Sequence, residues 1–166
     1  WHIYATCPEK VVDKAERIRK LLDKYGYEKA ESILNEWNYV RGWTDKFIYS
    51  IETIISMKGA AFTTACMLSS QHSSIDMLMY YDARPSTMNG MFETTTLAKL
   101  KGYYPFLMFN DLYKLEKSCF VASDDDEVYA VAAENDGKAA AMICYFANDD
   151  TKGEKEITIN LESNDK

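Results

Sequence analysis

The sequence is short of the features that announce a function. No apolar run approaches the length of a membrane span. Basic charge is not in excess: the net charge is -7, which argues against nucleic acid or an anionic membrane surface as partner. There is no CxxC pair; Cys7, Cys66, Cys119 and Cys144 lie far apart, with no His at ligand spacing. That excludes a zinc ribbon and a dense disulfide framework, and leaves scattered buried thiols. With eight Met, they lean towards a reducing, cytoplasmic compartment. Repeats and low-complexity runs are absent. The chain opens on Trp-His-Ile-Tyr, without initiator Met, basic n-region or apolar h-region. The expectation is a processed start or a piece of something longer.

What is present is globular. Hydrophobic residues make up 47% and charged residues 27% of 166 positions, enough for one domain or part of a larger one. Aromatics stand at 13%, with 12 Tyr, which suits exposed platforms as well as core. The acidic balance fits a neutral ligand.

The chain is organised around residues 30–40, AESILNEWNYV. Ile33 and Leu34 are apolar in succession, as in a parallel strand covered on both faces. The polarity then changes: Glu36 stands among Asn35, Trp37 and Asn38. A carboxylate flanked by amides and an indole, ending a buried strand, is poor core material. It suits a sugar site at the C-terminal edge of an α/β architecture.

In chain order, His2-Ile3-Tyr4 reads as the tail of a strand, with His2 and Tyr4 on one face. Thr6 is the expected N-cap of a helix with Pro8 in its first turn. Val11, Val12, Ala15, Ile18 and Leu22 form its stripe, and Gly26 ends it. After the Glu36 strand comes a loop carrying Trp43, then one long helix over 47–70. Residues 75–81, IDMLMYY, are another buried strand, ending in Asp82-Ala83-Arg84-Pro85. The connection 86–104 is long enough to be functional. Pro105 opens a helix over 106–115. Then the pattern turns to strands at 119–123, 127–133, 139–146 and 156–161, with Asn135-Asp136-Gly137-Lys138 as a hairpin signal. Consecutive β/α units carry parallel strands.

The runs WHIYA, LNEWNYV, IDMLMYYDARP and KGYYPFLMFNDLYKL, followed by a short β segment, resemble the C-terminal part of a clan A retaining glycoside hydrolase. Within the clan they are most similar to family 39, the β-xylosidase-like group. The resemblance implies an α/β fold: the last three β/α units of a (β/α)8 TIM barrel over 1–117, then a small antiparallel β-sandwich-like module over 118–166. It makes residues 1–5 the tail of barrel strand six, 32–40 strand seven and 75–82 strand eight. It also implies that Glu36 is the catalytic nucleophile, with His2 and Tyr4 as the pair that ends strand six. Strand eight ends in Tyr80-Tyr81-Asp82 where many clan members have Trp. Strands one to five, and the acid/base Glu they would carry, have no counterpart here.

The implied chemistry is hydrolysis of an O-glycosidic bond with retention, needing two carboxyl groups about 5–5.5 Å apart and neither metal nor cofactor. An ionised nucleophile wants hydrogen-bond donors. Tyr4, His2 and Asn38 are the supporting candidates, and strand parity puts Asn38, not Asn35 or Trp37, on Glu36's face. Asn35, Trp37, Tyr80, Tyr81, Asp82 and Arg84 are the substrate-binding candidates. The plainer alternatives are that Glu36 pairs with Arg41 and that Asp82 pairs with Arg84; Trp43 and the Tyr103–Tyr104 pair read either as subsite platforms or, more simply, as core packing. The expected partner is a carbohydrate, a β-glycoside such as a xylo-oligosaccharide. The second function class is a non-catalytic assembly module, an oligomer or a piece that pairs with the missing barrel half.

Overall fold

The computed structural model describes residues 1–86 and 88–161; Thr87 and residues 162–166, the last five of the expected β module, lie outside the described residues. Ten elements follow in order: β1 (His2–Ala5), α1 (Glu9–Lys24), β2 (Ile33–Tyr39), α2 (Phe47–Ile54), α3 (Met57–Ser70), β3 (Met77–Tyr80), α4 (Tyr103–Tyr113), β4 (Lys117–Cys119), β5 (Val128–Asn135) and β6 (Lys138–Tyr145). Strands β1, β2 and β3 form a parallel three-stranded sheet in that order, and β4, β5 and β6 an antiparallel one. The fold is therefore mixed α/β, with helices between consecutive parallel strands. No helix among the described residues is long and apolar enough to cross a membrane.

Helix α3 lies between the two sheets. Phe62, Ala65, Cys66 and Leu68 of α3 share one core with Leu34, Trp37 and Tyr39 of β2 and with Val131, Ala133, Met142 and Cys144 of the second sheet. A helix enclosed on both sides must be apolar nearly all round, which is why ten of its residues are buried. Phe62 is the hub, with ring centroids 6.3 Å from Trp37, 5.3 Å from Tyr39 and 5.6 Å from Phe146. A polar clasp joins the same parts. Lys58 Nζ donates to Asp150 Oδ1 at 2.6 Å and to the Asn148 carbonyl at 2.6 Å, and Tyr49 donates to Asp150 Oδ2 at 2.6 Å.

Several sequence expectations are corrected here. Thr6 does not cap α1; Pro8 occupies the N-cap position and its carbonyl accepts from Val11 N at 2.9 Å. The single helix expected over 47–70 is two. Ser56 is extended (φ -90°, ψ 177°), and its hydroxyl accepts from Lys58 N and Gly59 N, capping a new helix. Gly59 permits the close join, since a Cβ there would collide with the carbonyl oxygens of Thr53 and Ile54. Helix α4 begins at Tyr103, so Pro105 is its third residue rather than its first.

Among the described residues the second sheet is one layer of three strands, without a second layer to make a sandwich. The hairpin forms where expected, with Asp136 (φ 48°) and Gly137 (φ 76°) both left-handed, as a two-residue primed turn requires. Residues 156–161 alternate in hydrophobicity but form no strand. Lys155 is drawn to Asp125 at 2.5 Å and stands over the Tyr145 ring, so the segment runs over the end of the sheet. Ile157, Ile159 and Leu161 are left exposed. Alternation makes a strand only where a neighbour offers hydrogen bonds.

The core sets a pH limit. Burial pushes the Cys144 thiol up from 9.0 to about 12 and the Cys66 thiol well above its ordinary value. Burial likewise raises the phenols of Tyr39, Tyr80 and Tyr129. The native state then holds protons that the unfolded chain gives up, so stability falls as pH rises. Stability is fully present below pH 9.0, and the part due to Cys144 is lost as pH climbs to about 12. The slope is at most about 1.4 kcal/mol per pH unit for the buried thiols and smaller for part-exposed Tyr129. Urea midpoints measured from pH 8 to 11 are expected to fall (about three pH units of titration, set by the thiol and phenol ranges); a flat profile would refute this.

Candidate active site

Glu36 does not end its strand. It is the fourth residue of β2, and β2 continues to Tyr39. What sets Glu36 apart is an irregularity: Leu34 pairs with Leu78, but Trp37 pairs with Tyr80. Three steps on β2 therefore match two on β3. This bulge puts Leu34 and Trp37 on the same, helix-facing side, where both are buried, although strict alternation would separate them. Glu36 is left on the other face, level with the end of β3. Bulges commonly re-aim a side chain in this way.

On that face the structure brings several candidates together. His2 pairs in register with Glu36, and Tyr4 with Asn38. The Tyr4 hydroxyl donates to Glu36 Oε1. Burial raises the Tyr4 phenol above its usual range, and the Glu36 hydrogen bond and the nearby charges of Glu36 and Asp82 raise it further. Tyr4 thus stays a neutral donor, suited to holding a carboxylate in its charged form. His2 is exposed beside it, with ring centroids 6.5 Å apart. Asn35 is exposed at the bulge. Arg41, the alternative partner for Glu36, instead lies over the Tyr49 ring at 5.2 Å.

A second group follows β3. Arg84 donates to Asp82 Oδ2 through Nε at 2.8 Å and Nη2 at 2.6 Å, and Ser86 donates to Oδ1 at 3.2 Å. Arg84 Nη2 also donates to the Tyr81 hydroxyl at 3.1 Å. The bond to Asp82 holds the Arg84 guanidinium above its ordinary value. Both oxygens of Asp82 are thus engaged, while Arg84 is exposed. The Tyr81–Asp82 peptide bond is cis.

Three candidates are placed elsewhere. Trp37 packs edge-on against Tyr80 at 5.3 Å, inside the helix-side core. Tyr80 contacts Phe106 at 5.3 Å and donates to the Asn89 carbonyl. Neither ring is on Glu36's face. Asn38 has the expected parity but no donor to spare. Its amide nitrogen donates to the carbonyls of Tyr81 at 2.6 Å and Met88 at 2.8 Å. It ties the loop after β3 to β2 instead of supporting Glu36.

One residue was undervalued by sequence. Trp43 reads as core but is 54% exposed, and its ring meets Tyr4 edge-on at 5.2 Å and 87°. The available signal was its place in a polar loop just past the Glu36 strand. A groove of about 870 Å³ lies elsewhere, between α3, α4 and β6, lined by residues such as Met57, Met108 and Met142. Lys101 and Asp111 are its only charged lining residues among those described, so it offers less chemistry than the Glu36 face.

The fold is similar to that of a glucosidase from Croceicoccus marinus, with a TM-score of 0.68 and 21% identity, covering 89% of this chain and 32% of the glucosidase chain. The chain thus spans about a third of that protein's length. At this identity the likeness is one of fold. No protein-family model matches the chain, and no curated protein matches it.

Proposed function

We propose that the chain is the C-terminal part of a retaining glycoside hydrolase, with residues 1–117 as the last three β/α units of a (β/α)8 barrel and residues 118–166 as its trailing β segment. Glu36 is the nucleophile. The observation that carries this reading is the bond from the Tyr4 hydroxyl to Glu36, on a sheet face that shares its fold with a glucosidase. In the reaction, Glu36 attacks the anomeric carbon, a general acid protonates the leaving oxygen, and water then releases the sugar from the Glu36 ester. Tyr4 holds the attacking carboxylate, His2 lies beside it, and Asn35, Tyr81, Asp82 and Arg84 border the sugar. The general acid belongs to the absent part of the barrel. The order of motifs favours a family 39-like enzyme acting on a β-glycoside such as a xylo-oligosaccharide.

A second reading, an assembly module, is favoured by what the parallel sheet leaves open. Met77 and Met79 are 46% and 45% exposed. β1 and β3 are the outer strands of their sheet. Parallel sheets are nearly always covered on both faces, and unpaired edges recruit other chains.

One experiment addresses both readings. Alone, the 166-residue chain is expected to associate with rising concentration in light scattering and to leave an aryl β-glycoside untouched. Mixed with a chain carrying barrel strands one to five, it is expected to form a one-to-one complex that turns the substrate over. A complex without turnover leaves only the assembly reading. A well-folded monomer at all concentrations refutes the exposed-face argument for both.

A further inference from the structure

We propose that residues 156–161 of one chain add as a strand to the free edge of β6 in a second copy, so that two chains exchange these segments. The surface is separate from the Glu36 face and does not depend on the reading of that residue.

The hairpin fixes which groups are free. Asn135 and Lys138 flank a two-residue turn and pair with each other, so they exchange both of their backbone hydrogen bonds. Bonded pairs alternate along an antiparallel ladder. Counting from Lys138, Ala140, Met142 and Cys144 turn their backbone groups to β5, and Ala139, Ala141, Ile143 and Tyr145 turn theirs outward. β6 is an outer strand of its sheet. Among the described residues, no hydrogen bond reaches those four outward backbones. Natural edges are blunted by charge, proline or a bulge. Residues 139–145, AAAMICY, hold neither charge nor proline, and their ladder to β5 is unbroken.

The groove of about 870 Å³ runs beside this edge, and all six residues from Ala140 to Tyr145 line it. One face of a strand supplies only every second residue, so it is the edge itself that is open. Met57 of α3 and Tyr104 and Met108 of α4 also line the groove and are exposed. A strand laid along β6 carries alternate side chains to the same side as the buried Met142 and Cys144, towards the helices.

What fits there is an extended segment with apolar residues at every second position. The chain carries one. In 156–161, EITINL, Ile157, Ile159 and Leu161 alternate with Thr158 and Asn160, and the three apolar side chains are 38%, 58% and 90% exposed. Isoleucine and threonine favour strands. Its own β6 does not take it up. Lys155 is held at 2.5 Å by Asp125 and at 3.4 Å by Glu127, in the turn before β5. β5 is the inner strand, so the root of the segment is tied one strand in from the free edge. The edge of a second chain has no such constraint. In strand addition the backbone bonds give affinity and the alternate side chains give the fit. Each copy offers both a segment and an edge, so the exchange is reciprocal and closes as a two-fold dimer.

The test follows amide hydrogen exchange of the 166-residue chain by NMR over a range of concentrations, with size from analytical ultracentrifugation. Where about nine-tenths of the chains are paired, exchange at Ala141 and Ile143 is expected to be about tenfold slower than in the dilute monomer, because only the unpaired fraction exchanges. A synthetic peptide of residues 154–161, in excess, is expected to return the dimer to single chains while keeping Ala141 protected. Ala141→Pro removes an outward N–H and none that bonds to β5, so circular dichroism stays that of the parent and dimerisation weakens by about tenfold or more. Ile159→Asp changes a side chain that is exposed in the single chain. It is expected to act in the same way, and it keeps the test available if the proline variant does not fold. Met79→Asp, on the parallel sheet, is expected to leave the exchange pattern unaltered. Slow exchange at Ala141 and Ile143 at every dilution means that the segment closes on its own chain, and overturns the pairing of copies. Fast exchange at every concentration overturns strand addition altogether. Association lost in Met79→Asp but kept in Ala141→Pro and Ile159→Asp belongs to the parallel sheet, and equally overturns the proposal.

Discussion

With the rest of the barrel supplied, Glu36→Gln is expected to lower turnover of an aryl β-glycoside by about four to six orders of magnitude, the scale of loss on removing a nucleophile. The amide keeps the size of the side chain and an oxygen that can accept from Tyr4, so the local hydrogen bond survives. What it loses is the charge that attacks the anomeric carbon. Thermal unfolding is therefore expected to change little, because Glu36 is only half-buried and, among the described residues, its side chain makes one hydrogen bond, to Tyr4. This separates chemistry from folding. A carboxylate kept for structure would show the reverse: lost stability with turnover intact. Glu36→Gly gives a second readout. Azide admitted into the vacated space attacks the anomeric carbon as the aryl oxide departs, so turnover returns and the glycosyl azide has the opposite anomeric configuration. Near-parent turnover in the Gln variant, or no azide product from the Gly variant, would remove Glu36 from the nucleophile role.

Phe62→Ala is expected to destabilise the chain by about 3–5 kcal/mol, the range for deleting a buried Phe ring. Whole-domain stability is only about 5–15 kcal/mol, so the variant should stand near its unfolding threshold at room temperature. The reason lies in what the ring touches. Phe62 is fully buried and meets Trp37 and Tyr39 from the parallel sheet on one side and Phe146 on the other. Its loss loosens the parallel sheet and the C-terminal segment at once. Urea unfolding followed by tryptophan emission and by far-UV circular dichroism distinguishes two outcomes. A shared core predicts one coincident transition, shifted as a whole. A chain divided at residue 117 into independent domains predicts two transitions, with a separate one for the β segment. Phe62→Leu, expected to cost less because more of the ring's volume is retained, keeps the comparison measurable if the Ala variant does not fold.

The local patterns were legible without the structure because they are set by neighbours in the chain. Alternation placed His2 and Tyr4 on one face of β1 and Ile3 on the other. The stripe from Val11 and the left-handed Gly26 bounded α1. Asn135-Asp136-Gly137-Lys138 allowed little besides a tight hairpin. The grouping of Glu36 with Tyr4 was an implication of the resemblance to clan A glycoside hydrolases, not of the local pattern.

What pairing decides could not be read in this way. Parity set Trp37 on the face opposite Glu36, but it assumes an unbroken ladder, and the bulge between Leu34 and Trp37 is what brings those two to the same buried side. Asn38 had the right face, but its two N–H groups went to carbonyls in a loop more than 40 residues on. Tyr80 was drawn inward by Trp37 and Phe106, partners with no local signature. Residues 156–161 had the alternation of a strand but no neighbour to pair with. Trp43 lies in a loop, where no period says which way a ring turns. Its exposure beside Tyr4 came only from the packing of β1 against the β2–α2 connection. The sequence by itself determined the local tendencies to helix, strand and turn, because those preferences act over a few bonds. The tertiary structure alone decided which side chains meet at Glu36, because that depends on register, a bulge and packing between distant parts of the chain.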